Sequence, residues 1–194
     1  MMTDLSEGLC RIKVGFGKPS SRHLAAGAQA WADASRGCRQ IMAAGLPHNM
    51  EVETLYVWRD GTQTAGATLD DLHLFPGFYL LSLEDVLANY RSFVTDPRWN
   101  HGWLPLFTDG AGDFYLVELG GRSSGWVRRF RIDEAEHPVE FRSLTDMVVT
   151  LAAAFDRGVF FIDSDGYLEM NDLRFGKLAA ELNPAVHWWT DQTR

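Results

Sequence analysis

Apolar residues in the first third of the chain recur at intervals of three or four, the spacing of one face of an α-helix. This pattern predicts helices over residues 20–44 and 47–60. Gly45 and Gly61 follow these segments, and glycine is common just beyond the last turn of a helix. Residues 9–17 alternate weakly between apolar and polar side chains, which predicts an edge strand or an ordered lead-in.

A short aromatic run follows at residues 74–81 and predicts a strand that is bent or bulged at Pro76-Gly77. After it, Ser82 stands three residues before an acidic side chain, the arrangement of a helix N-cap. The apolar positions that follow lie on one helical face. We therefore expect a helix over residues 82–93.

Two strand-like runs, at residues 104–107 and 114–119, flank a turn rich in Gly and Asp. That combination predicts a β-hairpin, because such turn residues adopt the backbone angles that a tight reversal needs. Residues 125–132 predict a third strand after another Gly-rich turn.

The last third of the chain contains the same kinds of signal for helix starts and hairpins. Ser143 predicts the start of a helix over residues 144–156, and residues 159–162 and 167–170 predict a second hairpin. A final helix is expected over residues 172–182.

The order of these elements indicates the fold class. Helices come first, then a meander of strands, one helix and a hairpin, without parallel βαβ repeats. We therefore expect a single α+β domain with a mainly antiparallel sheet of about five or six strands and helices packed on one face. The predicted domain covers residues 22–182, with an N-terminal extension at 1–21 and a C-terminal tail at 183–194.

Charge is distributed unevenly along the chain. The net charge is −8, but residues 1–50 contain six basic and three acidic residues, and residues 51–194 contain twelve and twenty-three. Residues 133–181 hold eleven acids and four bases. Such a surface repels nucleic acid and attracts basic proteins, although the charge could also serve solubility alone.

The cysteines and the hydropathy pattern indicate a cellular location. Cys10 and Cys38 stand far from other metal-ligating residues, so we expect two free thiols in a reducing compartment; a disulfide between them is the alternative. No secretory signal and no apolar stretch of membrane-spanning length is visible. We therefore expect a cytoplasmic protein that does not enter a membrane.

Several short motifs resemble catalytic or ligand-binding signatures but lack the flanking elements or the further residues that those signatures require. Residues 121–125 fit G-x-S-x-G, yet Ser123 lies between two predicted strands and not between a strand and a helix. Gly17-Lys18 lacks the first glycine of a phosphate-binding loop, and residues 163–166 lack ligands of a calcium loop. We expect turns at these places, no catalytic residues, no metal and no cofactor.

One cluster of basic residues requires a separate interpretation. Arg128, Arg129 and Arg131 surround Phe130 on a predicted strand, where Arg129 and Arg131 share one face. Against the acidic remainder of the chain we interpret them as partners of surface acids, and we expect no nucleic-acid binding.

Two ordered motifs resemble a known family. The first motif spans the predicted helix at residues 47–60, from its start to its aromatic C-terminal end, and consists of Leu46, Pro47, Tyr56, Trp58 and Gly61. The second joins a strand to the hairpin turn: Trp103, Pro105, Gly110, Gly112, Asp113 and Tyr115. Together, over about residues 22–172, they resemble the Smi/Knr branch of the SUKH superfamily.

The resemblance implies an α+β fold without an established catalytic centre. Many bacterial proteins of that superfamily look like immunity proteins that bind and neutralise toxins of polymorphic toxin systems. Fungal relatives are linked to cell-wall glucan synthesis and act as interaction scaffolds.

The motif residues also have direct structural explanations. Pro47 favours a helix start, Trp58 and Trp103 are large apolar anchors with an indole N–H to satisfy, and Gly110 and Gly112 permit positive φ. Asp113 is expected to accept hydrogen bonds from nearby turn amides. We expect most of these residues to determine the fold.

The combined expectation is a non-catalytic immunity protein that binds one protein partner, a basic toxin domain, and covers its active cleft. The candidate contact residues are acidic side chains of the C-terminal half, with Trp99 as an aromatic anchor. The acids are Asp133, Glu134, Glu136, Asp163, Asp165 and Glu169. Two alternatives stay open: a scaffold or regulator linked to cell-wall synthesis, and an enzyme or small-molecule binder with a dispersed site.

Overall fold

The computed structural model describes the backbone of residues 2–15, 27–62 and 73–192, and within these ranges the chain forms seven helices and seven strands. The helices are α1 (Met2–Gly15), α2 (Gly27–Ala43), α3 (Met50–Trp58), α4 (Leu83–Phe93), α5 (Leu144–Asp156), α6 (Asp172–Leu182) and α7 (His187–Gln192). The strands are β1 (Tyr79–Leu80), β2 (Trp103–Thr108), β3 (Phe114–Glu118), β4 (Val127–Phe130), β5 (Val139–Phe141), β6 (Phe160–Ile162) and β7 (Leu168–Met170).

Strands β1 to β5 form one antiparallel sheet in the order of the chain, and β6 pairs with β7 in a separate hairpin. This arrangement confirms the predicted α+β fold with an antiparallel sheet. The predicted β2–β3 hairpin, the strand β4 and the second hairpin are all present. The predicted start of the first helix at residue 20 lies outside the described residues.

Both faces of the central strands β2 and β3 are buried along most of their length. On one face, Phe93 and Trp99 contact aromatic residues of the sheet, with ring centroids 5.0 Å apart for Phe93 with Phe114 and for Trp99 with Phe130. The opposite face carries Tyr115 and is covered by α5 and the C-terminal elements. Because central strands have no solvated face, they show continuous apolar runs without alternation.

The predicted edge strand at residues 9–17 is wrong over the described part of that range, because residues 2–15 form helix α1; the alternative, an ordered lead-in, agrees with this helix. Leu5, Leu9 and Ile12 are each 1% exposed and lie three or four residues apart, the spacing of a helical face. α1 packs closely on α5: a Cβ added at Gly8 would lie 2.7 Å from a Val148 methyl group. The N-terminal segment therefore contributes side chains to the main core.

Helix α3 begins three residues later than the predicted start at Pro47. The Asn49 side chain caps the helix by accepting hydrogen bonds from the amides of Glu51 and Val52, at 2.9 and 3.0 Å. An N-cap side chain fixes a helix start more directly than a proline does, because it satisfies otherwise unpaired amides. Gly61 has a second role beyond the helix end, since a Cβ there would lie 2.7 Å from the Ser82 amide nitrogen.

The turn between β2 and β3 uses a different aspartate from the one predicted. The Asp109 Oδ1 atom accepts hydrogen bonds from the amides of Ala111, Gly112 and Asp113, at 2.8 to 3.1 Å. Asp113 Oδ1 instead accepts from the amide of Ile132, 3.0 Å away. Asp109 takes the turn because a carboxylate at the start of a turn reaches the amides that follow it.

Both cysteines are free thiols. Cys10 is exposed on α1, and Cys38 is buried on α2. Burial, and secondarily the charge of Glu53, raises the pKa of the Cys38 thiol to about 11, so this thiol stays protonated and unreactive.

A carboxylate of α3 caps the start of α5, nearly a hundred residues further along the chain. Glu51 accepts hydrogen bonds from the amides of Leu144 and Thr145, at 3.2 and 3.3 Å, and from the Thr145 hydroxyl. Ser143 accepts from the Asp146 amide, as predicted. An acid at this position also interacts favourably with the helix dipole.

We expect Glu51→Ala to lower the free energy of unfolding by about 1–2 kcal/mol, because the amides and the hydroxyl lose their acceptor. The matched control is Glu136→Ala, which removes an exposed loop carboxylate and should change stability by less than about 0.5 kcal/mol. Urea unfolding of the two variants measures the difference. Equal transition midpoints would show that the Glu51 cap contributes nothing.

Candidate functional site

The short motifs with catalytic resemblance form turns in the structure. Ser123 lies between β3 and β4 and donates a hydrogen bond to Glu118, 2.9 Å away, which confirms the hairpin-loop interpretation. Asp163 Oδ1 accepts from the amides of Asp165 and Tyr167, at 2.9 and 2.8 Å, as a turn carboxylate does. Gly17-Lys18 lies outside the described residues. Among the described residues, no group of three or more His, Cys, Asp or Glu is placed to hold a metal ion.

The residues that carry the family resemblance mostly lie in the core or at turns. Leu46, Trp103, Pro105 and Tyr115 are buried, and the buried Tyr56 donates its hydroxyl hydrogen to the Leu81 carbonyl. Gly61 is also buried, and the remaining ones are exposed or half-buried: Pro47, Trp58, Gly110, Gly112 and Asp113. Gly110 and Gly112 have positive φ, as the turn was expected to require.

Trp99 cannot be the exposed aromatic anchor that the sequence suggested, because it is 5% exposed. Its ring contacts Phe93, Trp103, Phe114 and Phe130. A tryptophan between polar residues, here Arg98 and Asn100, gives no local signal of burial, and the tertiary packing of an aromatic cluster decides its position.

The predicted acidic contact residues divide between two elements. Asp133, Glu134 and Glu136 are exposed in the connection between β4 and β5, where Glu134 pairs with Arg131 at 2.7 Å. Asp163, Asp165 and Glu169 belong to the β6–β7 hairpin. The two groups therefore belong to different elements of the fold, and none of the hairpin acids forms an ion pair with another described residue.

The β6–β7 hairpin also exposes large apolar side chains that the sequence did not single out. Ile162 is 61% exposed, and Leu173 at the start of α6 is 71% exposed. We define the hairpin patch as the exposed apolar and acidic side chains of this region together with the half-buried Asp163: Phe161, Ile162, Asp163, Asp165, Tyr167, Glu169 and Leu173. Exposed apolar side chains that lie together on a surface often mark an interaction site.

The charge of this region has one sign. Residues 158–173 contain four acids and no Lys, Arg or His. Of the bases nearest in sequence, Arg157 pairs with Glu181, and Arg174 donates to the carbonyls of Arg157 and Gly158 beside β6. The hairpin therefore has more acids than bases, with Arg174 bound at its start.

The inner side of the hairpin is fixed by aromatic packing. Phe160 stacks on Phe175 with ring centroids 5.3 Å apart, and it meets Phe155 edge-on at 5.0 Å. The outer side chains are thus presented on a supported backbone, which lowers the entropy that a partner has to overcome on binding.

A cavity of about 300 Å³ lies between the sheet and the C-terminal elements. Most of its wall is apolar, from the Phe75-Phe78 bend, β5, α5, β6 and α6. Its polar lining residues are Asp109, Tyr115, Arg129 and Asp172. None of the described residues that line it is a histidine, so the cavity lacks the convergence of histidines and carboxylates that a dispersed catalytic site was expected to show.

Tyr115 and Glu140 form a buried pair beside this cavity. Glu140 is 1% exposed, and its Oε2 atom accepts a hydrogen bond from the Tyr115 hydroxyl at 2.7 Å. Burial raises the pKa of Glu140 to about 7, opposed by the Tyr115 hydrogen bond and by the charges of Arg129 and Arg131. The pKa of Tyr115 is also raised, chiefly by burial, so its hydroxyl stays a donor.

Arg129 is the basic group nearest this pair. Its guanidinium lies 5.2 Å from the ring centroid of Phe78 and 5.8 Å from that of Tyr115. Its closest acid is Asp113, at 3.9 Å, and its Nε atom is buried without a hydrogen bond to any described residue. Arg128 and Arg131 pair with Glu118 and Glu134 as expected, but Arg129 instead faces the cavity.

Comparison with known proteins adds no assignment: no protein-family model matches the chain, and no curated protein is significantly similar to it. No helix in the described part of the chain is long and apolar enough to cross a membrane.

We expect Glu140→Gln to remove part of the pH dependence of stability. The folded state keeps the Glu140 proton to a higher pH than the unfolded chain does, so the contribution of Glu140 to wild-type stability falls as the pH rises from about 4.5 to about 7. The variant should therefore be more stable than wild type at pH 8, by about 1–3 kcal/mol, and of similar stability at pH 5.

Urea unfolding at the two pH values measures this difference, with Glu136→Gln as the control for an exposed loop carboxylate. The control should follow the pH profile of wild type. If Glu140→Gln shows that same profile, the Glu140 carboxyl titrates like an exposed one and its described environment is wrong.

Proposed function

We propose that this chain is a non-catalytic protein-binding module of the immunity type, which binds a basic toxin domain and covers its active cleft. The hairpin patch is the proposed contact surface. The class of partner comes from the resemblance to SUKH immunity proteins, and the place of contact comes from the geometry. A cytoplasmic location is part of the same proposal.

The observation that carries the proposal is the coincidence of exposed apolar and acidic side chains on one supported hairpin. Ile162 and Leu173 offer apolar area that a partner can cover, and Asp163, Asp165 and Glu169 surround it with negative charge. Apolar area supplies most of the affinity of an interface, whereas complementary charge accelerates association. A basic partner surface with apolar side chains fits both features.

Charge complementarity favours a protein over a nucleic acid as the partner. The absence of bases in residues 158–173 places uncompensated acids around the patch. Phosphate groups would be repelled from such a surface. A toxin domain that acts on nucleic acid presents a basic cleft, and an acidic patch can occupy that cleft in place of the substrate.

The catalytic alternative has no comparable support. Ser123 and Asp163, the residues with the strongest motif resemblance, use their side chains in turns. The Glu140–Tyr115 pair is buried, and a catalytic acid needs access to a substrate proton.

The proposal predicts that a gene beside the gene of this chain encodes a toxin domain, and it is tested with that domain. Asp165→Lys/Glu169→Lys reverses two charges within the hairpin patch, and Asp133→Lys/Glu136→Lys makes the same change in the β4–β5 connection. We expect the first variant to lower the association rate at low salt by about tenfold or more, and the second by less than about threefold. Surface plasmon resonance at several salt concentrations measures both rates.

A parallel growth assay links binding to function. Wild type and the β4–β5 variant should rescue cells that express the toxin domain, and the hairpin variant should rescue them poorly. Equal rescue by both variants would remove the hairpin patch from the interface. Failure of the wild type to bind or neutralise that domain would overturn the proposed function itself.

A further inference from the structure

We propose that the cavity beneath the hairpin binds a small organic carboxylate, with its apolar body among the aromatic walls and its carboxylate against Arg129. This ligand site is separate from the proposed protein interface. The β6–β7 residues that line the cavity are Phe160 and Met170, which pair with each other, and neither belongs to the hairpin patch.

The size and walls of the cavity suit a small apolar body. Its volume of about 300 Å³ lies at the lower end of the range of ligand pockets. The walls include five phenylalanine rings, from Phe75, Phe78, Phe141, Phe160 and Phe175, and the two methionines Met147 and Met170. Aromatic rings and thioethers adapt well to an apolar or aromatic ligand.

Arg129 is the reason why we infer a carboxylate as the polar group of the ligand. It is the only basic residue among the described residues that line the cavity, and its Nε–H is buried without an acceptor there. A buried donor without an acceptor is costly, and a carboxylate satisfies a guanidinium in bidentate geometry. The rings of Phe78 and Tyr115 hold the guanidinium in position before a ligand arrives.

The acids near Arg129 leave its charge only partly neutralised. Asp113 approaches no closer than 3.9 Å and accepts a hydrogen bond from Ile132. Glu140 holds its proton more tightly than an exposed glutamate does, because burial raises its pKa to about 7. A ligand carboxylate can therefore add charge that the site lacks.

Two further acids line the cavity. Asp109 directs its Oδ1 atom at three turn amides, and Asp172 stands exposed in the first turn of α6. Both carboxylates thus have favourable interactions with backbone N–H groups or with a helix N-terminus. They would nevertheless attract an ammonium group, so the sign of the ligand charge is the decisive test.

The test compares two probes of similar shape and opposite charge, phenylacetate and 2-phenylethylammonium, by NMR of methionine methyl groups in the full chain. Met147 and Met170 line the cavity, while Met42 and Met50 are exposed elsewhere and serve as internal controls. We expect millimolar phenylacetate to shift the first pair saturably and to leave the second pair unchanged. We expect no saturable shift with 2-phenylethylammonium.

Arg129→Gln removes the guanidinium charge, and Arg122→Gln makes the same change on the exposed β3–β4 turn. The first variant should weaken phenylacetate binding by about tenfold or more, as the loss of a charged hydrogen bond implies, and the second should bind like wild type. Unchanged Met147 and Met170 resonances without ligand establish that each variant is folded.

Three results obtained with the wild-type chain alone would overturn the inference. They are saturable binding of 2-phenylethylammonium alone, equal binding of both probes, and no shift of Met147 and Met170 with either probe. Because these measurements need no toxin domain, they are independent of the proposed protein interface.

Discussion

The structure is organised around the burial of one carboxyl group, that of Glu140 on β5. Its Oε2 atom accepts the Tyr115 hydroxyl hydrogen from β3, and its backbone carbonyl accepts the Trp189 indole N–H from α7 at 2.5 Å. A buried carboxyl group is tolerated only when it is hydrogen-bonded or neutral, so the carboxyl group of Glu140 needs the Tyr115 hydroxyl beside it. The pair therefore links an edge strand, a central strand and the C-terminal helix.

The same packing separates two surfaces with different chemistry. On the inner side, Phe160 and Phe175 support the β6–β7 hairpin and also form walls of the cavity that Arg129 faces. Beyond the cavity wall, Phe161, Ile162, Asp165 and Glu169 of the same hairpin are exposed to solvent. One small hairpin thus exposes acidic and apolar side chains while it closes an apolar space beneath.

The sequence predicted elements with strong local signals, such as the helix that Ser143 caps and the β6–β7 hairpin. It missed α7 and β5, because α7 is short and β5 carries the charged Glu140, and tertiary contacts hold both in place. The acidic part of the candidate site was visible from charge alone. The roles of Trp99 and Arg129 were not, because identical residue types occur at surfaces and in cores, and only packing distinguishes them.

The central functional claim is that a protein partner covers the outer face of the β6–β7 hairpin. Hydrogen exchange of this chain, free and bound to the neighbouring toxin domain, tests it directly. The account predicts that slowed exchange on binding is concentrated in residues 158–173, with little change in the β4–β5 connection. Protection confined to the β4–β5 connection, or spread elsewhere with the hairpin unchanged, would contradict it.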